Sequence, residues 1–251
     1  SFGVNLSGTF EKNITANSDD DSMESYHPWV TPYNEDGTLK YNIKSWKNYT
    51  MDPTPLSNPL QDNKYNNVTD LKNNLFGSFS ATLKPFKWLS FSSTNTLTLT
   101  NVNTNDYLDS RTYSGNHSRN EMSNGVLKVD DERSWTFLTS NILRLQHSFG
   151  EHNLSGLVGQ EWYERHTRSS HIEMYDQMIA GERNVGGFSK QGDKTNPAVI
   201  PTGAERESGS FSVFSEVNYN YAGKYMASAS FRTDGSTNFG KDNRYGTFYS
   251  F

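Results

Sequence analysis

Three groups of residues in this 251-residue chain are of types that could do chemistry. Glu161 and Glu164 form a carboxylate pair, the combination that glycoside hydrolysis uses as general acid and nucleophile or base. Such enzymes hold the two carboxyls close together across a cleft. Residues three apart on an extended strand point to opposite faces, so the pair carries no hydrolytic reading. Asp19, Asp20, Asp21 and Glu24 offer hard oxygen ligands of the kind calcium takes, but the EF-hand spacing and its Gly are missing and the run reads as a solvated loop. His117, His147, His152, His166 and His171 are scattered without the spacing of a third ligand, so no metal site is assigned. With no cysteine, disulfides, thiolate zinc sites and cysteine nucleophiles are excluded. Neither a Gly-rich phosphate loop nor a nucleophile elbow is present. The sequence therefore predicts no enzyme and no cofactor.

Binding is a different matter. The first long polar segment carries Tyr26, Trp29, Tyr33, Tyr41, Trp46 and Tyr49 among Asn and Asp residues. Aromatic rings stack on sugars or peptides while neighbouring amides and carboxylates supply hydrogen bonds, so Tyr26, Trp29, Tyr33 and Trp46 are the candidate substrate- or partner-binding residues. The alternative is that these rings pack the loop onto its own support or onto a partner.

The elements that must position these residues are strands. Phe2, Val4, Leu6 and Phe10 alternate with Gly3, Asn5, Ser7, Thr9 and Glu11 over the segment Phe2 to Lys12. The same period of two marks Leu75 to Leu83, Trp88 to Thr100, Trp135 to Phe149, Asn153 to Glu164, Phe211 to Tyr221, Tyr225 to Phe231 and Tyr245 to Phe251, about eight strands in all. Pro85 is expected to end its strand, because it cannot donate to a ladder. Connections alternate between short turns (Pro85-Phe86-Lys87, Phe149-Gly150-Glu151-His152, Ala222-Gly223-Lys224) and long polar stretches (roughly Asn13 to Asp70, Asp109 to Arg133, Ser170 to Ser208, Thr233 to Asn243). Outer-membrane barrels sort their connections this way, with short periplasmic turns and long extracellular loops.

Composition agrees. Only 33% of the residues are hydrophobic while 14% are aromatic, the mixture expected when one strand face meets lipid and the other a polar lumen. Aromatics gather near the short turns, at Phe86, Trp88, Phe149, Tyr219, Tyr221 and Tyr225, as interfacial girdles do. A net charge of −5 argues against a nucleic-acid partner. The expected fold is all-β: an antiparallel transmembrane β-barrel segment. A soluble extracellular β-sandwich, a binding module or adhesin, is the alternative, since a solvent-facing sheet surface and a lumen-facing one look alike in sequence.

The run FSVFSEVNYNYAGKYMASASFRTDGSTNFGKDNRYGTFYSF, Phe211 to Phe251, closely resembles a barrel segment of the SusC/RagA family of TonB-dependent outer-membrane transporters. The matching pieces are Val217-Asn218-Tyr219, Lys224-Tyr225, Ser230-Phe231-Arg232, Asp234-Gly235-Ser236, Phe239-Gly240-Lys241 and Asn243-Arg244-Tyr245-Gly246. Glu216, Thr233 and Thr237 depart from the family pattern. Upstream, His152-Asn153-Leu154 with Leu157-Val158-Gly159 and Glu161, and Pro32-Tyr33-Asn34 with Asp36-Gly37-Thr38, resemble it more thinly. The resemblance implies import of oligosaccharides or oligopeptides across the outer membrane of a Gram-negative bacterium of Bacteroidetes type. It further implies TonB for energy, a SusD-type surface lipoprotein as lid, and surrounding outer-membrane lipid. The family's barrel is large and plugged, so the whole chain, 1–251, is expected to be barrel wall, with the plug and the remaining strands elsewhere in a longer polypeptide. Asp234-Gly235 is a strong turn dipeptide, and Arg232 and Arg244 beside it are expected to brace a loop through Asp234 or Asp242.

Overall fold

The computed structural model describes residues 1–17, 29–47, 50–117, 124–191 and 200–251, without the side chains of 45–54. The Asp19–Asp21 run, Glu24, Tyr26 and Tyr49 lie outside the described residues. In chain order the strands are β1 (Phe2–Ala16), β2 (Asn42–Lys47), β3 (Thr50–Ser57), β4 (Asn67–Phe86), β5 (Leu89–Leu108), β6 (Val126–Phe149), β7 (His152–Gln177), β8 (Phe188–Gln191), β9 (Thr202–Tyr221), β10 (Tyr225–Ser236) and β11 (Tyr245–Ser250). Eight of them lie side by side in one sheet in the order β1-β4-β5-β6-β7-β9-β10-β11, and β8 adds to the end of β7. Every pairing is antiparallel. β2 and β3 form a separate hairpin.

Register decides which side chains share a face, because residues directly opposite in an antiparallel pair project the same way. Val4 lies opposite Phe79, and Leu83 opposite Phe91, which lies opposite Leu143. Leu143 faces Val158, and Leu154 faces Tyr219, which faces Ala227. The apolar phase of all eight strands is therefore one continuous face, and it is exposed: Phe2, Val4, Leu6, Phe79, Leu83, Leu97, Val158 and Val217 are all open. Thr94, Thr96 and Thr98 share the other face with Ser78, Ser140, Thr136 and Ser212. A sandwich would lay a second sheet over the apolar face. Among the described residues the second sheet is only the two-stranded β2–β3 hairpin, so the sandwich alternative fails.

The apolar face is bounded by rings. At the turn end Phe86 stacks on Trp88 with centroids 5.2 Å apart, and a row of contacts continues through His147, Phe149, His152 and Tyr221 to Tyr225. At the far side stand Trp135, Trp162, Phe211 and Tyr245, followed at once by charged residues such as Arg133, Glu164 and Arg168. The step from Tyr221 to Phe211 along β9 is ten residues. At a rise of ~3.3 Å and a tilt of about 45° it spans roughly 23 Å, close to the apolar band of an outer-membrane barrel. One polar patch interrupts this band: Asn141 Nδ2 donates to Thr139 Oγ1, Thr139 Oγ1 to Asn95 Oδ1 and Asn95 Nδ2 to Ser93 Oγ, so the patch bonds largely to itself.

All short turns lie at one end of the sheet and all long connections at the other, as the sorting by length requires. Ala222 and Gly223 turn with φ of 52° and 68°, and Gly150 with 61°. The strands, however, outrun the expected ones at the loop end. β1 pairs with β4 as far as Ala16 opposite Asn67, and β6 with β7 as far as Val126 opposite Tyr175. The ladder continues where the lipid-facing alternation stops, and at the far ends of β5, β6 and β7 a small apolar cluster of Tyr107, Leu127, Met174 and Phe188 packs the paired strands. Pro85 does not end β4. It sits in a register irregularity between Leu83 and Phe86, where the ladder needs no donor.

Asp234-Gly235 is not a turn. Both residues lie in β10, opposite Gly246 and Tyr245, and Gly235 is not among the positive-φ glycines. A Cβ on Gly235 would stand 2.5 Å from the Tyr245 ring, so this glycine serves ring packing against the neighbouring strand.

Two outcomes follow for the full-length protein. Val158→Arg on the apolar face should cost about 2–4 kcal/mol in lipid, whereas Thr96→Arg on the polar face should cost well under 1 kcal/mol; urea unfolding in bilayers measures both. Gly235→Val should lower the temperature of heat-modifiable gel mobility, and Tyr245→Ala in the same chain should restore it.

Candidate functional site

Among the described residues the loop end is a folded rim. The first long connection, whose turn residues forbid one continuous element, holds the β2–β3 hairpin and a short helix, Pro59–Tyr65. Asn58 caps that helix by accepting from the Leu60 N–H at 3.2 Å, and Pro59 enters its first turn. The Asn58 amide nitrogen also donates to the Pro32 and Lys40 carbonyls at 2.9 and 2.8 Å. These bonds tether a tight turn in which the Asn34 N–H donates to the Thr38 carbonyl at 2.8 Å and Gly37 adopts φ 79°. The Asp36 carboxylate accepts from the Thr38 hydroxyl and N–H, which hold its pKa below the ordinary value.

The centre of the rim is Asp109, fully buried just after β5. Its carboxylate accepts from the Tyr107 hydroxyl at 2.7 Å and from Arg111 Nε and Nη2 at 2.8 and 2.7 Å. Burial pushes the carboxyl up, but the Arg111 guanidinium and the Tyr107 hydroxyl outweigh it and hold the pKa below the ordinary value. The Asp109 N–H donates to Asn66 Oδ1 at 2.8 Å, tying in the first loop. Asn66 Nδ2 donates to Ser114 Oγ at 2.8 Å, whose hydroxyl donates to Asp62 at 2.8 Å. Gln177 brings in the third loop: its Nε2 donates to the Tyr107 hydroxyl at 2.5 Å and the Glu182 carbonyl at 2.9 Å, and its Oε1 accepts from the Ser110 N–H. Arg111 lies 4.2 Å over the Tyr65 ring, and Arg183 5.2 Å over Tyr107. Beneath sits a small apolar core of Tyr107, Leu127, Met174 and Phe188.

The candidate aromatics divide on this rim. Trp29 is 70% exposed and Tyr33 46%, both beside the tethered turn, where Tyr33 bridges to Leu39. Trp46 lies on β2 opposite Met51, its side chain outside the description, and Tyr26 lies outside the described residues. Tyr41 takes the packing role: its ring meets Tyr113 edge-on at 5.6 Å, and its hydroxyl accepts from Asn116 at 2.8 Å. Glu161 and Glu164 point to opposite faces, as their spacing requires. No spacing in the sequence marks the Asp109, Asn66 and Gln177 hub, whose bonds join residues 43 and 67 positions apart. Only Asn58-Pro59, an N-cap followed by Pro, was a local signal that could have announced part of it.

No family model matches the chain. It is 34% identical over 116 residues to the TonB-dependent receptor P3 of Formosa agariphila, covering 45% of this chain and 11% of the relative. It is 28% identical over 220 residues to TonB-dependent receptor P26 of the same organism, covering 85% of this chain and 20% of that protein. The chain thus spans a fifth or less of the curated relatives it matches. Among solved structures, the RagAB peptide transporter superposes with a TM-score of 0.69 at 19% identity, over 99% of this chain and 27% of that one. The RagAB peptide importer in its closed-closed state gives 0.69 at 20%, with the same coverage. These likenesses bear out both the resemblance to the SusC/RagA type of TonB-dependent transporter and the all-β, antiparallel barrel-segment fold.

Asp109→Asn should loosen the rim without unfolding the sheet. Weakening the hydrogen bonds that the buried carboxylate accepts from Tyr107 and Arg111 should cost about 1–2 kcal/mol, since the guanidinium left behind is 45% exposed, read as faster protease cleavage within residues 29–47, 50–66 and 178–191. Since the folded Asp109 carboxyl is held low, its contribution is present above the unfolded value of about 3.9 and lost as pH falls through the folded value. Native rims should become pepsin-sensitive only below about pH 4, a step the Asp109→Asn variant should lack.

Proposed function

We propose that this chain is wall and outer rim of an outer-membrane importer that moves oligosaccharides or oligopeptides, driven through TonB and closed outside by a SusD-type surface lipoprotein. The observation that carries the reading is the sheet itself: one exposed apolar face of membrane height, one polar face, short turns at one end and a folded rim at the other. Among the described residues β1 and β11 each have a neighbour on one side only, which supports a wall continued by further strands of a larger plugged barrel. The names of the relatives support the TonB-dependent class, and those of the structural neighbours support a two-component importer.

The chain's contribution is transport without covalent chemistry. Trp29 and Tyr33, exposed on a turn anchored by Asn58, are the aromatics offered to cargo or lipoprotein, with Tyr26 and Trp46 on the same connection. Cargo binding would release the plug only through a higher affinity for the released state. No cofactor or metal enters this reading.

Cells relying on the full-length protein should take up labelled oligomers only while TonB is present, and the protein should co-purify with a lipoprotein. Uptake that persists undiminished without TonB overturns the proposal. Trp29→Ala with Tyr33→Ala should weaken cargo or lipoprotein binding about tenfold, given ~1–2 kcal/mol for lost aromatic contacts; calorimetry with the purified partner measures it.

A further inference from the structure

Outside the rim, the sheet's polar face carries a charged cluster within the height of the apolar band. Glu161 on β7 lies opposite Ser212 on β9, which lies opposite Asp234 on β10, one residue below the ring row of Trp162 and Phe211. Arg232 is fixed from several sides. Its Nε sits 2.8 and 2.9 Å from the two Asp234 oxygens, its Nη2 lies 3.4 Å from Ser212 Oγ, and its guanidinium stands 5.5 Å over the Phe214 ring. Phe214 lies flat across β7 because Gly159 has no Cβ; one there would stand 2.3 Å from the ring. Gly159, Phe214, Asp234 and Ser212 thus build a seat that holds Arg232 in one pose.

Glu161 makes longer contacts. Its oxygens meet Ser140 Oγ at 3.4 Å and Arg232 Nη2 at 3.9 Å, and both side chains are open on the polar face, Glu161 39% and Arg232 47% exposed. Two carboxylates around one guanidinium leave the cluster with a net charge of −1. Beside it a depression of about 550 Å³ is lined by Arg232, Asp234, Asn243, Phe248 and their neighbours. Ionisable groups at membrane depth are costly and mark substrate paths when they face a lumen. A carboxylate with spare acceptor capacity next to an immobilised ion pair is complementary to a cation with directed N–H donors.

We propose that Glu161, backed by the Arg232–Asp234 pair, is a way-station for the guanidinium or ammonium group of a transported oligopeptide. The inference rests on the importer reading and narrows it to cargo with Arg or Lys side chains. Asp234 positions Arg232, the pair flanks Glu161 on the polar face, and Glu161 makes the contact with cargo.

The test uses the full-length transporter and a series of fluorescent hexapeptides with a single Arg at each position in turn, each matched to a citrulline version. The native protein should bind the best Arg peptide about tenfold more tightly than its citrulline partner, the effect of one charged hydrogen bond. Glu161→Gln should abolish most of that preference and leave the citrulline peptide's affinity unchanged. Equal binding of the two peptides by the native protein overturns the inference and leaves the importer reading standing. Binding of neither, with oligosaccharides bound instead, overturns the inference and the peptide arm of the reading together. Equal loss of both peptides in Glu161→Gln, with a lowered melting temperature, overturns it in favour of a fixed contact inside the transporter.

Discussion

Where water is absent, every backbone N–H and C=O must find its partner within the protein, and a sheet can meet that demand only by an unbroken ladder. Here the ladder runs from β1 across to β11, and within the apolar band it is irregular only at Leu83–Phe86, beside the proline that has no donor to place. All else is subordinate to it. Once register is set, the partner of Leu143 must be Val158 and the partner of Thr98 must be Thr136, so each side chain's face is no longer free to vary. A slip of one residue would turn Phe79 and Leu97 inward and the threonines outward, and the alternation guards against that slip.

Backbone pairing outlasts the hydrophobic signal, which explains what sequence could and could not disclose. Strand number, face and the sorting of turns were legible because lipid demands a period of two over about ten residues. Strand ends were not: in β6 and β7 the polar run with Asp131, Arg133, Arg168 and Ser170 interrupts the apolar rhythm before Val129, Leu127, Ile172 and Met174, yet the strands stay paired throughout. Asp234-Gly235 misled for a related reason. Gly is permitted wherever a Cβ would clash, and a ring on the next strand excludes it as firmly as a positive φ requires Gly.

The rim shows the other limit. Above its small apolar core it is held by polar side chains far apart in sequence: Asp109 with Asn66, Ser110 with Gln177, Asn116 with Tyr41. No periodicity encodes such pairs, and each residue alone looks like an ordinary loop polar group. The aromatics Trp29 and Tyr33 stand out in the sequence by residue type, but the Asn58 tether that anchors their turn is tertiary. The rim and the sheet are thus stabilised differently, one by buried charge-assisted hydrogen bonds and the other by the ladder.

The central claim is that, within the apolar band, odd-numbered residues of β5 and even-numbered residues of β7 face lipid. This chain has no cysteine, so single cysteines can be introduced without background from it. Nitroxide labels at Leu97, Leu99 and Val158, compared with Thr96, Thr98 and Leu157, in the full-length protein in bilayers would report collision with oxygen, which is enriched in lipid, against a water-soluble nickel complex. The account predicts high oxygen and low nickel access for the first three and the reverse for the second three. Equal access in both phases, or the phases exchanged, would contradict it.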